Sequence, residues 1–159
     1  MKQTSRVFAC WEALYDVLNE SNWSPHPSTG ELPTIVFGDT TDPTNDMVIV
    51  EGVPADAPTQ EWATMGSPSQ DEQFVLRVLV GSNVPGLTQA EVFARVADLA
   101  DVVQAALRDQ TTGRPAGEFT TTVPGVLWHR VGRIAPQLYA GPEGYGAYAE
   151  IDITFRVRL

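Results

Sequence analysis

Few residues in this chain could carry out chemistry, and their spacing matches no known reactive site. The two histidines are His26, which lies between prolines, and His129, which follows Trp128. Neither has a carboxylate or a second histidine at a metal-ligand spacing such as i, i+4. We therefore expect His26 in a loop, His129 in a strand, and a structural or solvated role for both.

Carboxylates and the single thiol offer little more. Asp39, Asp42 and Asp46 lie in one turn-rich segment and carry the oxygen ligands that calcium prefers. They lack the one-residue spacing and the downstream glutamate of an EF-hand loop, so we expect no metal there. Cys10 lies beside Trp11 in a helical segment, where a small packed apolar role is expected rather than a nucleophilic one.

Sequence motifs of enzymes are missing as well. No serine lies in a Gly-x-Ser-x-Gly setting, and the chain has no glycine-rich phosphate loop or dinucleotide fingerprint. Asn22-Trp23-Ser24 fits the glycosylation sequon, but the acidic N-terminal segment does not predict a secretory signal. The sequence therefore predicts a protein that is not an enzyme and needs no cofactor.

Composition restricts the class of partner. The 159 residues carry 20 acids against 10 bases, for a net charge of −10, and 43% of them are hydrophobic. That charge argues against nucleic-acid phosphate or an anionic membrane surface as the main partner. The length fits one domain spanning residues 1–159, and no apolar run reaches the roughly 18 residues of a membrane span.

Charge is distributed unevenly along the chain. Nine acids and no base lie between Glu31 and Glu72. Such a stretch is typical of solvated loops, or alternatively of an acidic surface that faces DNA without binding it. Nine of the ten bases are arginines, a residue type that is favoured at protein interfaces.

Two helices are predicted, near residues 5–19 and 88–110. Val7, Trp11, Leu14 and Leu18 recur at helical spacing and form one apolar stripe of the first helix. The second helix opens with a capping box, Thr88 followed by Glu91, and continues as an apolar stripe. That stripe comprises Val92, Val96, Leu99, Val103 and Leu107.

The remaining chain predicts strands and two long loops. The runs 34–37 and 47–50 predict a hairpin with a long tip, and 73–80 and 126–134 predict further strands. Residues 147–159 alternate without a break, which indicates a half-buried antiparallel strand. The segment 52–71 lacks periodicity, and 135–146 contains three glycines and two prolines, so both predict loops. Their large apolar residues, which suit contact arms, are Trp62, Met65, Leu138 and Tyr139.

The resulting order is α-β-β-β-α-β-β. Two amphipathic helices can cover one face of an antiparallel sheet, so we expect a two-layer α+β domain. Arginines on the last strand, Arg156 and Arg158, offer a surface complementary to the acidic half of the chain and hence a possible interface.

The whole pattern resembles the tail-terminator family of long-tailed bacteriophages. The resemblance covers nearly the whole chain and is strongest in the first helix, in FVLRVLVGS with the Thr88-led helix, and in the final AEIDITFRVRL. It is a likeness in the order of elements and in residue pattern, because the family has no diagnostic motif. The segments 52–71 and 135–146 are longer than we expect for a member of this family.

The resemblance implies a structural virion protein at the neck end of the tail, assembled in the host cytoplasm. Family members form a six-subunit ring that caps the tail tube, stops tube polymerisation and meets the head connector. DNA passes through the ring without binding. The acids expected to line this channel are Asp39, Asp42, Asp46, Glu150 and Asp152. In the competing arrangement, Arg156 and Arg158 face the channel and the acids lie outside. Two alternatives remain: another head–tail neck protein of the same plan, and a small-ligand-binding α+β domain.

Overall fold

The structure is a computed structural model that describes residues 5–38, 45–51, 56–62, 70–108, 123, 125–142 and 144–159, with the backbone alone for 56–62. These residues form two helices and six strands. In chain order they are α1 (Val7–Asn19), β1 (Thr34–Phe37), β2 (Asp46–Val50), β3 (Asp56–Trp62), β4 (Gln70–Ser82), α2 (Gln89–Ala106), β5 (Val126–Gly141) and β6 (Gly144–Arg158).

All six strands belong to one sheet. The path runs β1-β2-β4-β6-β5, and β3 pairs with the first half of β4 while β2 pairs with its second half. Every pairing is antiparallel except that of β1 with β2. The predicted α+β class and the predicted order of elements are confirmed, with β3 as an additional strand.

Both helices pack on the same face of this sheet, which we call the inner face. Buried side chains of α1 and α2 form one core with alternate residues of β4 and β6. On β6 the inward set is the one predicted from alternation: Ala147, Ala149, Ile151, Ile153, Phe155 and Val157, each at most 2% exposed. Burying each of the larger side chains in this set, from Ile151 to Val157, stabilises the fold by roughly 1.5–3 kcal/mol.

Helix starts follow from local chemistry. The Thr88 hydroxyl accepts a hydrogen bond from the Glu91 amide, and the Glu91 carboxylate accepts one from the Thr88 amide, which completes the predicted capping box. At the first helix the Arg6 side chain makes no capping hydrogen bond, but the Ser5 hydroxyl accepts one from the Val7 amide, and β4 adds a second cap. Buried Glu72 accepts hydrogen bonds from the Ser5 hydroxyl and the Arg6 amide, which places a carboxylate at the helix N-terminus.

The predicted hairpin of 34–37 and 47–50 is wrong. β1 and β2 are parallel neighbours, with Thr34 opposite Met47 and Phe37 opposite Val50. The eight connecting residues, 38–45, can span at most about 26–29 Å when extended, enough to return along a four-residue strand. Short apolar runs of this kind predict that a strand forms but not the direction in which it pairs.

Both predicted loops contain strands. Within 52–71, β3 pairs with β4 through a register shift between Asp56 and Thr59. Within 135–146, β5 continues to Gly141 and β6 begins at Gly144, so the segment is the end of a long hairpin. Pro136 is tolerated because β5 is an edge strand, where one side of the backbone needs no ladder partner. The ring of Tyr139 lies against Gly146, its cross-strand partner.

Candidate functional site

Large apolar side chains lie exposed at both edges of the sheet, over α1 and β1 on one side and along β5 on the other. Soluble monomers rarely leave contiguous apolar patches uncovered unless these bind something. These two edges are therefore the candidate functional site, and they differ in chemistry.

The first edge is aromatic and acidic. Trp11 of α1 stacks on Phe37 of β1 with ring centroids 4.7 Å apart, and Tyr15 meets Phe37 edge-on at 5.4 Å. Phe8 continues the row at 6.4 Å from Trp11 and is 73% exposed. A cavity of about 560 Å³ lies along these rings. We call this surface the aromatic edge; its residues are Phe8, Trp11, Glu12, Tyr15, Asp16 and Phe37.

Helix geometry explains why α1 has this second stripe. Phe8, Trp11 and Tyr15 are spaced i, i+3, i+7, which places them side by side, next to the core stripe. Of the predicted core residues Val7, Leu14 and Leu18 are buried, whereas Trp11 is half-buried and Cys10 takes the inward place beside them. Glu12 and Asp16 are exposed beside the rings, and α1 contains no basic residue.

The second edge is aliphatic and basic. β5 carries Arg130 and Arg133 and no acid, and both arginines are exposed. The guanidinium carbon of Arg130 lies 5.1 Å from the ring centre of Trp128, a cation–π contact. Neither arginine forms an ion pair with a described residue. We call this surface the arginine edge; its residues are Leu127, Arg130, Arg133, Ile134, Leu138 and Tyr139.

A β-bulge shapes the arginine edge. Val131 pairs with Ile153 and Ile134 with Ile151, so β5 has one residue more than β6 over this span. Bulges bend a strand and change the direction of its side chains. Beyond the bulge, Ile134 and Pro136 face Phe93 of α2 across a groove of about 190 Å³.

Leu138 and Tyr139, which the sequence predicts to be contact residues, lie on this edge. Leu138 is 48% exposed and Tyr139 is 42% exposed, near the end of the β5–β6 hairpin. The Tyr139 ring also contacts that of Tyr148, with centroids 6.2 Å apart. Trp62 is the last residue of β3, where only the backbone is described, and Met65 lies outside the described residues.

The outer face of the sheet, opposite the helices, carries ion pairs. Arg77 of β4 contacts Asp152 at 2.9 Å and Glu150 at 3.8 Å, and the hydrogen bond from Asp152 raises the pKa of Arg77. Asp71 contacts Arg158 at 2.9 Å and Arg156 at 3.2 Å. Three carboxylates thus face three guanidinium groups, so these pairs carry no net charge.

That arrangement bears on the residues predicted to line a channel or an interface. Glu150 and Asp152 are paired with Arg77, and Arg156 and Arg158 with Asp71. Asp39 and Asp42 lie outside the described residues. The structure therefore gathers the predicted arginines and the two β6 acids on one face, where each of these acids faces an arginine.

The prediction that Asp46 lines a channel is wrong. Its side chain is 3% exposed and forms an ion pair with Arg95 of α2 at 2.8 Å. Arg95 also donates hydrogen bonds to the Ser24 carbonyl at 2.8 Å and the Ser24 hydroxyl at 3.3 Å. Asp46 therefore ties α2 to β2 and presents no charge to a channel.

The histidines and the cysteine are buried separately. His26 accepts a hydrogen bond at Nδ1 from the Ser28 amide, and His129 Nε2 lies 3.1 Å from the Leu107 carbonyl oxygen. Burial, reinforced by the nearby Glu72 carboxylate, raises the pKa of the Cys10 thiol to about 12, which disfavours the reactive thiolate. Within the described ranges, no three His, Cys, Asp or Glu side chains gather as metal ligands would.

Among the helices that the structure describes, neither is both long enough and apolar enough to cross a membrane. Comparison with known proteins adds no family: no protein-family model matches the sequence, and no curated protein matches it.

Proposed function

We propose that this chain is a structural subunit of a phage virion that forms a ring at the end of the tail tube, as a tail terminator does. The observation that supports this best is the pair of unlike surfaces at opposite edges of one sheet. A contact between two different surfaces is heterologous, and it closes into a ring when the rotation between subunits allows.

Charge supports the same proposal. A net charge of −10 keeps the chain from holding phosphate, because affinity for DNA comes largely from neutralising phosphates with Lys and Arg. On the outer face of β4 and β6, the described arginines Arg77, Arg156 and Arg158 each contact a carboxylate, so this strand pair adds no unpaired cation. A subunit of this kind suits a passage for DNA. Its partners would be further copies of itself, in a ring of six subunits by resemblance, together with the tail tube protein and the head connector.

Locating the chain in the particle tests the function. Antibodies against the chain, viewed by electron microscopy on intact virions and on isolated tails, are expected to label one site at the head-proximal tail end. Removing the gene is expected to give tubes of irregular length that do not join heads. Label that stays with the head connector when tails are detached would favour the neck-protein alternative. Particles without the chain would overturn a virion role.

A further inference from the structure

The aromatic edge has the chemistry of a site for an arginine side chain. A guanidinium group stacks on aromatic faces and pairs with carboxylates through its planar fork. Four rings and two exposed carboxylates, Glu12 and Asp16, line the cavity of this edge. No base is present on α1 to neutralise those acids.

The arginine edge supplies that side chain. Arg130 and Arg133 are exposed on an edge strand without an acid, and a bulge changes the direction of the strand at Arg133. The stacking of Arg130 on Trp128 limits the rotamers it would lose on binding. The apolar groove at Ile134 and Phe93 offers a neighbouring surface for exposed rings such as Phe8.

One copy cannot join its own two edges. β1 and β5 are the outermost strands of a five-strand path. Four spacings of about 4.8 Å place them roughly 19 Å apart. The opposite charges of the two edges therefore have to be matched between molecules.

We propose that the aromatic edge of one copy binds the arginine edge of a second copy, with Arg130 and Arg133 of the second copy against Glu12 and Asp16 of the first. The partner is a second copy of this chain, because its arginine edge has the opposite charge and its guanidinium groups can stack on the rings of the aromatic edge. The proposal rests on the proposed ring for its closure, whereas the contact between two copies can be tested in solution.

Charge reversal gives the test. Glu12→Arg/Asp16→Arg makes both edges positive, and Arg130→Glu/Arg133→Glu makes both edges negative. Each variant alone is expected to stay monomeric in native mass spectrometry and sedimentation. Mixed, they should assemble in alternation at equal stoichiometry, because each positive edge then faces a negative one. A matched control, Glu20→Arg/Asp98→Arg, changes the same charge at exposed acids outside the cavity and should assemble like wild type.

Disulfide trapping provides a second measurement that does not alter the charge of the acids. Phe8→Cys mixed with Arg133→Cys should give a covalent heterodimer on mild oxidation, whereas Ser28→Cys mixed with Arg133→Cys should not. Native Cys10 will not compete, since it is fully buried. Circular dichroism shows whether each variant is folded.

Three results would overturn the contact: a wild-type chain that stays monomeric at every concentration, assembly that survives both reversals, or a mixture that stays monomeric. These differ from failure of the proposed function. Rings on tail ends built from either reversal variant would remove the contact and leave the function. If the two reversal variants assemble when mixed but the chain is missing from virions, the contact stands and the proposed function is lost.

Discussion

Successive residues of β4 and β6 point alternately to the two faces of this strand pair, and the two faces have different surroundings. Toward the helices, Leu76, Phe74 and Phe155 are buried, with the two phenylalanine rings stacked at 5.4 Å. On the outer face, Arg77 and Asp71 hold cross-strand ion pairs with β6 that remain partly exposed. The inner face therefore supplies stability, and the outer face supplies charge that neighbouring residues balance.

Ion pairs extend this comparison, because the chain has both kinds. Asp46 and Arg95 are buried at 3% exposure each, whereas Arg158 in its pair with Asp71 is 48% exposed. A buried pair is strongly destabilised when one partner is removed, since the other charge stays in a medium of low dielectric. An exposed pair is screened by water and contributes little. Whether an ion pair is buried thus affects stability more than the distance between its charged atoms does.

Removing Asp46 should give the largest loss of stability. Asp46→Ala leaves the Arg95 guanidinium buried with Ser24 as its one remaining partner among the described residues, so we expect the free energy of unfolding to fall by about 3–5 kcal/mol. Asp152→Ala, which opens a partly exposed pair, should cost about 0–1 kcal/mol. Urea unfolding at neutral pH measures both.

The paired replacement Asp46→Leu/Arg95→Met refines this test. Removing both charges leaves no buried ion without a partner, so most of the lost stability should return. A double variant as unstable as Asp46→Ala would mean that the pair contributes through packing instead of charge.

A matched pair of substitutions on β4 compares the two faces directly. Leu76→Ala should lower the free energy of unfolding by about 2–5 kcal/mol, because the side chain is buried against both strands and helices. Leu79→Ala removes the same atoms from the partly exposed outer face and should cost clearly less. Equal losses would show that the outer face is covered as tightly as the core under the conditions of the measurement.

Local patterns predicted the parts of the fold that depend on near neighbours in sequence. The alternation of 147–159 gave β6, and Thr88 with Glu91 gave the start of α2. The parallel pairing of β1 with β2, the strand β3 and the long β5–β6 hairpin were not predicted. A run such as 34–37 says nothing about its partner, and the prolines and glycines of 135–146 occur in edge strands as well as in loops.

The candidate site was predicted only in part, for the same reason. Leu138 and Tyr139 were identified as exposed contact residues, although in a loop and not in a strand. The pairing of Asp46 with Arg95 joins residues 49 positions apart, and no local signal indicates it. The aromatic edge does have a local signal, because Phe8, Trp11 and Tyr15 share helical spacing, but the same periodicity assigned Trp11 to the core stripe.

The smallest expected effect is a pH dependence on the outer face. Hydrogen bonding from Arg158 holds the pKa of Asp71 below its ordinary value, assisted by Arg156, while partial burial opposes the shift. A lowered folded-state pKa stabilises the protein above the unfolded value of about 3.9 and loses that contribution as pH falls through the folded value. Asp71→Asn should therefore be less stable than wild type at neutral pH.

Acid should remove that difference. In urea titrations from about pH 7 to about pH 2, the gap between wild type and Asp71→Asn should hold until roughly pH 4 and then close as Asp71 is protonated. Arg158→Gln is the matched control: it removes the donor that lowers the pKa most, so the acid-dependent step should shrink while Arg156 keeps part of it. A gap that stays constant down to the lowest pH would mean that Asp71 stabilises the strands by shape, and that the charges of the outer face, unlike those around Asp46, contribute nothing to folding.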